Sequence, residues 1–88
     1  MAQENLIERR LVKHVERLGG VCLKLPAIHV AGIPDRLCLL PGGVVVFVEL
    51  KAPGEKPRKL QVHWHKKLRG LGFRVDVVDS VAGIENVK

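Results

Sequence analysis

The fold of this chain is decided by one stretch, VVVFVELK at residues 44–51. Its β-branched and aromatic residues favour a strand, and its nearly unbroken apolar character predicts a central strand that is covered on both faces. A charged side chain is costly to bury in such a strand unless it is paired or bound to a metal. Glu49 and Lys51, at the end of the stretch, therefore need a partner or a function.

A hairpin connects this strand to the preceding one. Its turn is PGG at residues 41–43, and residues 35–40 form the other strand-like run. A three-residue loop pairs the two residues that flank it, and counting outward from that pair places Asp35 opposite Glu49. A two-residue loop would shift the pairing by one residue, so the position of Asp35 depends on this turn.

Two carboxylates and one ammonium group are predicted to converge at the open end of the hairpin. Opposed side chains have Cβ atoms ~4.5–5.5 Å apart, and Lys51 projects from the same face as Glu49, roughly 6.6 Å further along. Carboxylates ~4 Å apart repel by about 4 kcal/mol at an effective dielectric of about 20. Mg²⁺ or Mn²⁺ would remove that repulsion, because both prefer oxygen ligands. The structural alternative is that Asp35 caps a turn after Pro34 and that Glu49 pairs with Lys51.

A helix and a short strand are predicted before the hairpin. Apolar residues at helical spacing predict a helix over residues 4–18, which Gly19 and Gly20 end. The apolar run at residues 21–25 predicts a strand that is closed by Pro26. The chain therefore begins with the order helix, strand, hairpin.

A second helix and a last strand are predicted after the hairpin. The helix is predicted over residues 57–71, with a cationic outer face. Its predicted apolar face consists of Leu60, Trp64, Leu68 and Leu71. Residues 73–78 predict the last strand, and Ser80 can cap a short C-terminal helix. The order αβββαβ with a short C-terminal helix predicts an α/β fold in one domain, residues 1–88.

The composition of the 88 residues indicates a polyanionic partner. Fifteen Lys and Arg against nine Asp and Glu give a net charge of +6, which favours nucleic acid. The chain has no run apolar enough to span a membrane and no signal-peptide pattern, so we expect a cytoplasmic protein. Cys22 and Cys38 complete no zinc spacing and are expected to be buried reduced thiols. The four histidines show no metal-ligand spacing.

Several motifs together resemble a known nuclease family. Pro34-Asp35, followed by Glu49-Leu50-Lys51, resembles the PD-(D/E)xK nuclease signature, and the chain is similar to the stand-alone VRR-NUC domains, which are often virus-encoded. A bare PD followed by ExK is a weak motif, but the extended set in this order is much more specific. The matching positions cover nearly the whole chain: Glu8, Gly19-Gly20, Pro34-Asp35-Arg36, Pro41-Gly42-Gly43, residues 49–54 and Gln61.

The resemblance implies a restriction-endonuclease-like core, a mixed sheet flanked by helices, with a metal site at its centre. It implies that Asp35, Glu49 and the backbone carbonyl of Leu50 are ligands of Mg²⁺ or Mn²⁺. It also implies that Lys51 is the catalytic lysine. Glu8 matches an acid of the first helix that completes the metal shell, the alternative being a solvated helix residue.

The resemblance assigns a further role to Gln61 in the second helix. This residue matches a glutamine that helps to position the catalytic lysine or the nucleophilic water, the alternative being a plain surface residue. Backbone neutralisation dominates nucleic-acid affinity, so exposed cations are candidate phosphate contacts, although each is equally well explained as a solvated charge. These candidates are Lys24, Arg36, Lys56, Arg58, Lys59, Lys66, Lys67 and Arg69.

The resemblance also implies a reaction and an assembly. Stand-alone members form homodimers and cut branched DNA such as four-way (Holliday) junctions, which implies a metal-dependent DNA endonuclease. A virus-encoded member would act in the cytoplasm of the host. The competing hypothesis is a non-catalytic basic domain that binds nucleic acid and whose acids are structural.

Overall fold

A four-stranded mixed sheet forms the centre of the molecule, of which the computed structural model describes residues 2–88. The elements are α1 (Ala2–Arg17), β1 (Val21–Lys24), β2 (Arg36–Leu40), β3 (Val44–Leu50), α2 (Lys59–Gly70), β4 (Arg74–Val78) and a 3₁₀ helix (Ala82–Asn86). The strands lie in the order β1-β2-β3-β4; the first two pairings are antiparallel and the β3–β4 pairing is parallel. This confirms the predicted order. Across residues 2–88, no helix has both the length and the apolar character to span a membrane.

The central strand β3 is covered on both faces, as predicted. Val46, Val48 and Leu50 point to the α1 side, whereas Glu49, between them in sequence, contacts α2. The α1 side holds the hydrophobic core: Ile7, Leu11, Val15, Cys38, Leu40, Val46, Val48, Leu50, Val78, Ile84 and Val87. Alternation along β3 thus separates an apolar core from a polar cluster on the opposite face.

The turn between β2 and β3 sets the register of the hairpin. Its two glycines adopt φ angles of 83° and 76°, a left-handed region that favours glycine. Leu40 pairs with Val44, which confirms the assumed three-residue loop, and the ladder continues over five pairs. Asp35 and Glu49 are the next residues outward on the two strands.

The second helix is turned differently from the prediction. Leu60 and Leu71, which were assigned to its apolar face, are 48% and 68% exposed, whereas His65 and Leu68 are buried. The sheet face that α2 covers contains Glu49. Because a buried carboxylate requires hydrogen-bond donors, α2 presents polar side chains to the sheet in place of part of its apolar stripe.

The loop between β1 and β2 rests against the start of α2. Gly32 has a φ angle of 88°, and a Cβ atom there would lie 2.8 Å from both Cγ and the carbonyl oxygen of Leu60. Only glycine therefore allows this approach without a shift of the loop or the helix. The contact holds the segment that leads into Pro34 and Asp35.

We expect Gly20→Ala to destabilise the fold. A Cβ atom on Gly20 would lie 2.4 Å from the carbonyl oxygen of Leu39, so the backbone must shift, at a cost of about 1–3 kcal/mol in the free energy of unfolding. Gly70→Ala is the matched control, because nothing lies within 4 Å of a Cβ atom there and alanine favours helix by up to about 1 kcal/mol. Urea unfolding measures both changes. A Gly20→Ala midpoint equal to that of the wild type would contradict the expectation.

Candidate active site

Glu49 is the centre of the polar cluster on the α2 face, and only 1% of its surface is exposed. The amide nitrogen of Gln61 donates to its Oε2 at 3.2 Å, and Nε2 of His65 lies 3.1 Å from its Oε1. The ammonium of Lys51 lies 4.0 Å from Oε2. The buried carboxylate is therefore held by side chains from both α2 and its own strand.

Strand alternation places Lys51 on the same face as Glu49. Lys51 follows the last residue of β3, and its backbone N–H donates to the carbonyl of Val78 at 3.0 Å. This bond continues the pairing of β3 with β4 by one position and immobilises the lysine backbone. The side chain is 10% exposed, so its ammonium remains next to the acid.

Asp35 is held at the same end of the sheet by two hydrogen bonds. Its Oδ2 accepts the backbone N–H of Leu50 at 2.7 Å, and its carbonyl accepts the N–H of Leu25 at 2.8 Å. Asp35 therefore bonds to the neighbouring strand and does not merely cap its own turn. The structure brings Asp35, Glu49 and Lys51 to one end of the hairpin, where the register placed them.

Burial lowers the pKa of His65 below its ordinary value, Arg69 and Lys51 lower it further, and Asp35 opposes them. The ring is thus uncharged at neutral pH, and because a carboxylate oxygen can only accept, a hydrogen bond to Oε1 of Glu49 requires the proton of the ring to be on Nε2.

Glu8 lies on the other face of the sheet. Nε of Arg36 donates to its Oε2 at 2.9 Å, and Arg36 pairs in the ladder with Val48, a residue of the α1-side core. The structure does not bring Glu8 together with Asp35 and Glu49. Among the described residues, no three His, Cys, Asp or Glu side chains form a group that could hold a metal ion.

Gln61 joins the start of α2 to the buried acid. Its Oε1 accepts the backbone N–H of Arg58 at 2.8 Å, which satisfies one donor at the helix start. Its Nε2 donates to the Glu49 oxygen that also faces Lys51. The residue is therefore part of the cluster and not a plain surface side chain.

The predicted phosphate contacts fall into two groups. Exposed cations at the end of β1 and along residues 56–67 are Lys24, Lys56, Arg58, Lys59, Lys66 and Lys67. Arg36 and Arg69 are engaged within the protein, the first in its ion pair and the second with the carbonyl of Val75 at 2.7 Å. Lys67 lies 5.2 Å from the ring centre of Trp64, which is partly buried and not in the core.

Cys22 and Cys38 are direct cross-strand neighbours, with Sγ atoms 3.7 Å apart. Their hydrogen bond lowers the pKa of Cys22 and raises that of Cys38, to which burial also contributes. Spacing in the sequence does not reveal this contact, because the β1–β2 register creates it.

His65 belongs to the polar cluster around Glu49, and no motif in the sequence predicts this position. The spacing of the four histidines in the sequence argues only against a metal site formed by histidines, and does not reveal a hydrogen bond between one of them and Glu49. The available signal was different: His65 lies four residues after Gln61, so the two side chains share one helical face. That face meets Glu49.

Two comparisons with known proteins, one of sequences and one of solved structures, found a similar protein. No family model matches the sequence. Over 80 residues the chain is 45% identical to p44 of Acyrthosiphon pisum secondary endosymbiont phage 1, and the match covers 91% of this chain and 86% of p44. The name of p44 describes it as a nuclease by inference. Among solved structures, the chain is similar to a VRR_NUC domain, with a TM-score of 0.89 and 34% identity, covering 97% of this chain and 92% of that one.

Substitutions at Asp35 should separate its structural role from its chemical role. The N–H of Leu50 is buried, so Asp35→Ala removes its acceptor and should lower the free energy of unfolding by about 1–3 kcal/mol. Asp35→Asn keeps a side-chain oxygen at that position and should stay within about 1 kcal/mol of the wild type. Urea unfolding measures both values, and equal losses in the two variants would refute the assignment.

Proposed function

Because the chain belongs to the VRR-NUC family, we propose that it is a metal-dependent endonuclease hydrolysing DNA phosphodiester bonds. The observation that carries this proposal is the buried Glu49 carboxylate beside Lys51, at the sheet end where Asp35 is bonded. Burial of an acid and a lysine costs stability in so small a protein. A catalytic role in a single domain over residues 1–88 explains why both are present.

The donor chemistry of the site fits a hard divalent cation. Asp35 and Glu49 supply carboxylate oxygens, the carbonyl of Leu50 is a third candidate, and such a set suits Mg²⁺ or Mn²⁺. When bound, the cation supplies a Lewis acid for the phosphate and lowers the pKa of a coordinated water. Glu8 lies on the opposite face of the sheet in an ion pair with Arg36, so we expect it to matter less than the two site acids.

Lys51 supplies a preorganised positive charge. Its stem is buried and its ammonium is held near Glu49, so no reorganisation is needed when negative charge develops on a phosphate oxygen at this site. Gln61 donates to the Glu49 oxygen that faces this ammonium and so fixes the position of the carboxylate relative to Lys51. The exposed cations at the start of α2 lie next to Gln61 and can neutralise flanking phosphates.

The proposed substrate is branched DNA, four-way junctions above all, and the proposed assembly is a homodimer. The family resemblance supports both, and an exposed apolar area on β1 and β2 supports the second. Val21, Leu23 and Leu39 lie on one sheet face and are 52%, 43% and 39% exposed, and such patches favour association. Two sites in a dimer suit the two cuts that resolve a junction. The phage origin of p44 supports a virus-encoded protein that acts in the host cytoplasm.

A labelled four-way junction tests the nuclease proposal. We expect cleavage with Mg²⁺ or Mn²⁺, none with EDTA, and slower cleavage of a linear duplex of matched sequence. Lys51→Ala should lower kcat by about 100-fold or more, because the preorganised charge is lost. Lys88→Ala, which removes the same charge at an exposed lysine remote in sequence, is the control. Glu8→Ala should lower kcat by less than Lys51→Ala does. Binding without cleavage at every metal concentration would instead support a non-catalytic nucleic-acid-binding domain.

Light scattering coupled to gel filtration tests the assembly. We expect a mass of twice 9.7 kDa for the wild type. Leu23→Glu should shift it to the monomer, because a charge in the interface must be desolvated. Leu71→Glu, at a more exposed leucine at the end of α2, should leave the mass unchanged. A monomeric wild type would refute the dimer.

A further inference from the structure

We propose that His65 is a positioning residue for DNA cleavage, one that orients the Glu49 carboxylate for the metal ion. The inference rests on the nuclease function proposed above. His65 is 3% exposed, and no motif in the sequence assigns it a role. Its nearest polar contact is the functional acid itself, at 3.1 Å between Nε2 and Oε1.

The geometry is that of a two-point clamp. Gln61 and His65 are four residues apart on α2 and contact different oxygens of Glu49: the amide of Gln61 donates to Oε2, and Nε2 of His65 lies 3.1 Å from Oε1. A carboxylate that is held at both oxygens cannot rotate about its last carbon–carbon bond without breaking one of these hydrogen bonds. Helix α2 therefore sets the plane of the carboxylate, although strand β3 carries the residue.

Packing alone does not account for an imidazole at this position. Leu68, one helical turn further along the same buried face, shows that an apolar side chain can pack between α2 and the sheet. An imidazole must be desolvated to be buried, and this cost is offset only by its hydrogen bond. Partners that hydrogen-bond metal ligands typically raise metal affinity 10–100-fold.

Three substitutions distinguish positioning from packing. His65→Gln places an amide N–H as many bonds from Cα as Nε2 is, His65→Asn places one at the level of Nδ1, and His65→Leu has none. Calorimetric titration of Mn²⁺ into each protein without DNA gives the dissociation constants. We expect the dissociation constant for Mn²⁺ to increase by about 10-fold or more in His65→Asn and His65→Leu, and by about threefold or less in His65→Gln. Urea unfolding checks that the compared variants are folded.

The outcomes separate the two proposals. Wild-type affinity in His65→Leu and His65→Asn, or an equal loss in all three variants, overturns the positioning role and leaves the nuclease proposal intact. A wild type that neither binds Mn²⁺ nor cleaves the junction overturns both. Long-range ¹H–¹⁵N NMR supplies a second readout, because the clamp requires a proton on Nε2; a ring protonated only on Nδ1 also overturns the positioning role.

Discussion

The arrangement of this molecule depends on one buried carboxylate, that of Glu49, in the middle of the interface between the sheet and α2. The effective penalty for burying an ion is several kcal/mol, so the surrounding elements must supply hydrogen-bond donors. Gln61 and His65 come from the helix, and Lys51 comes from the continuation of the strand. This requirement explains why α2 turns polar residues to the sheet and leaves Leu60 about half exposed and Leu71 mostly exposed.

The two faces of β3 differ: one packs into the hydrophobic core and the other carries the polar cluster around Glu49. A chain of 88 residues thereby accommodates both a core and a candidate site. The α1 face holds the hydrophobic core, to which residues of the 3₁₀ helix contribute, so it provides the hydrophobic stabilisation. The α2 face carries the acid, the lysine and their donors. Arg36 and Glu8 form their ion pair on the α1 side, away from the cluster. The candidate site therefore lies on the face of the sheet opposite the hydrophobic core.

The part of the site that could be predicted from the sequence is the part that local geometry determines. Alternation along β3 places Lys51 beside Glu49, and the length of the Pro41-Gly42-Gly43 turn places Asp35 at the same end of the hairpin. The comparisons then confirm the resemblance to a stand-alone VRR-NUC domain and the associated fold. The position of Glu8 was harder to predict, because it depends on which partner a helix side chain finds across the sheet.

The sequence by itself determined the order of the elements and the central position of β3, because helical spacing, apolar runs and glycine or proline stops mark each element. It predicted the hairpin register only for a three-residue turn, and the structure showed that the turn has this length. Only the tertiary structure decided the rotation of α2, the contact of His65 with Glu49 and the pairing of Cys22 with Cys38. Each of these depends on residues that are distant in the chain. A helix can also bury either of two adjacent faces, and here the hydrogen-bond demand of Glu49, a residue of another element, decided which one.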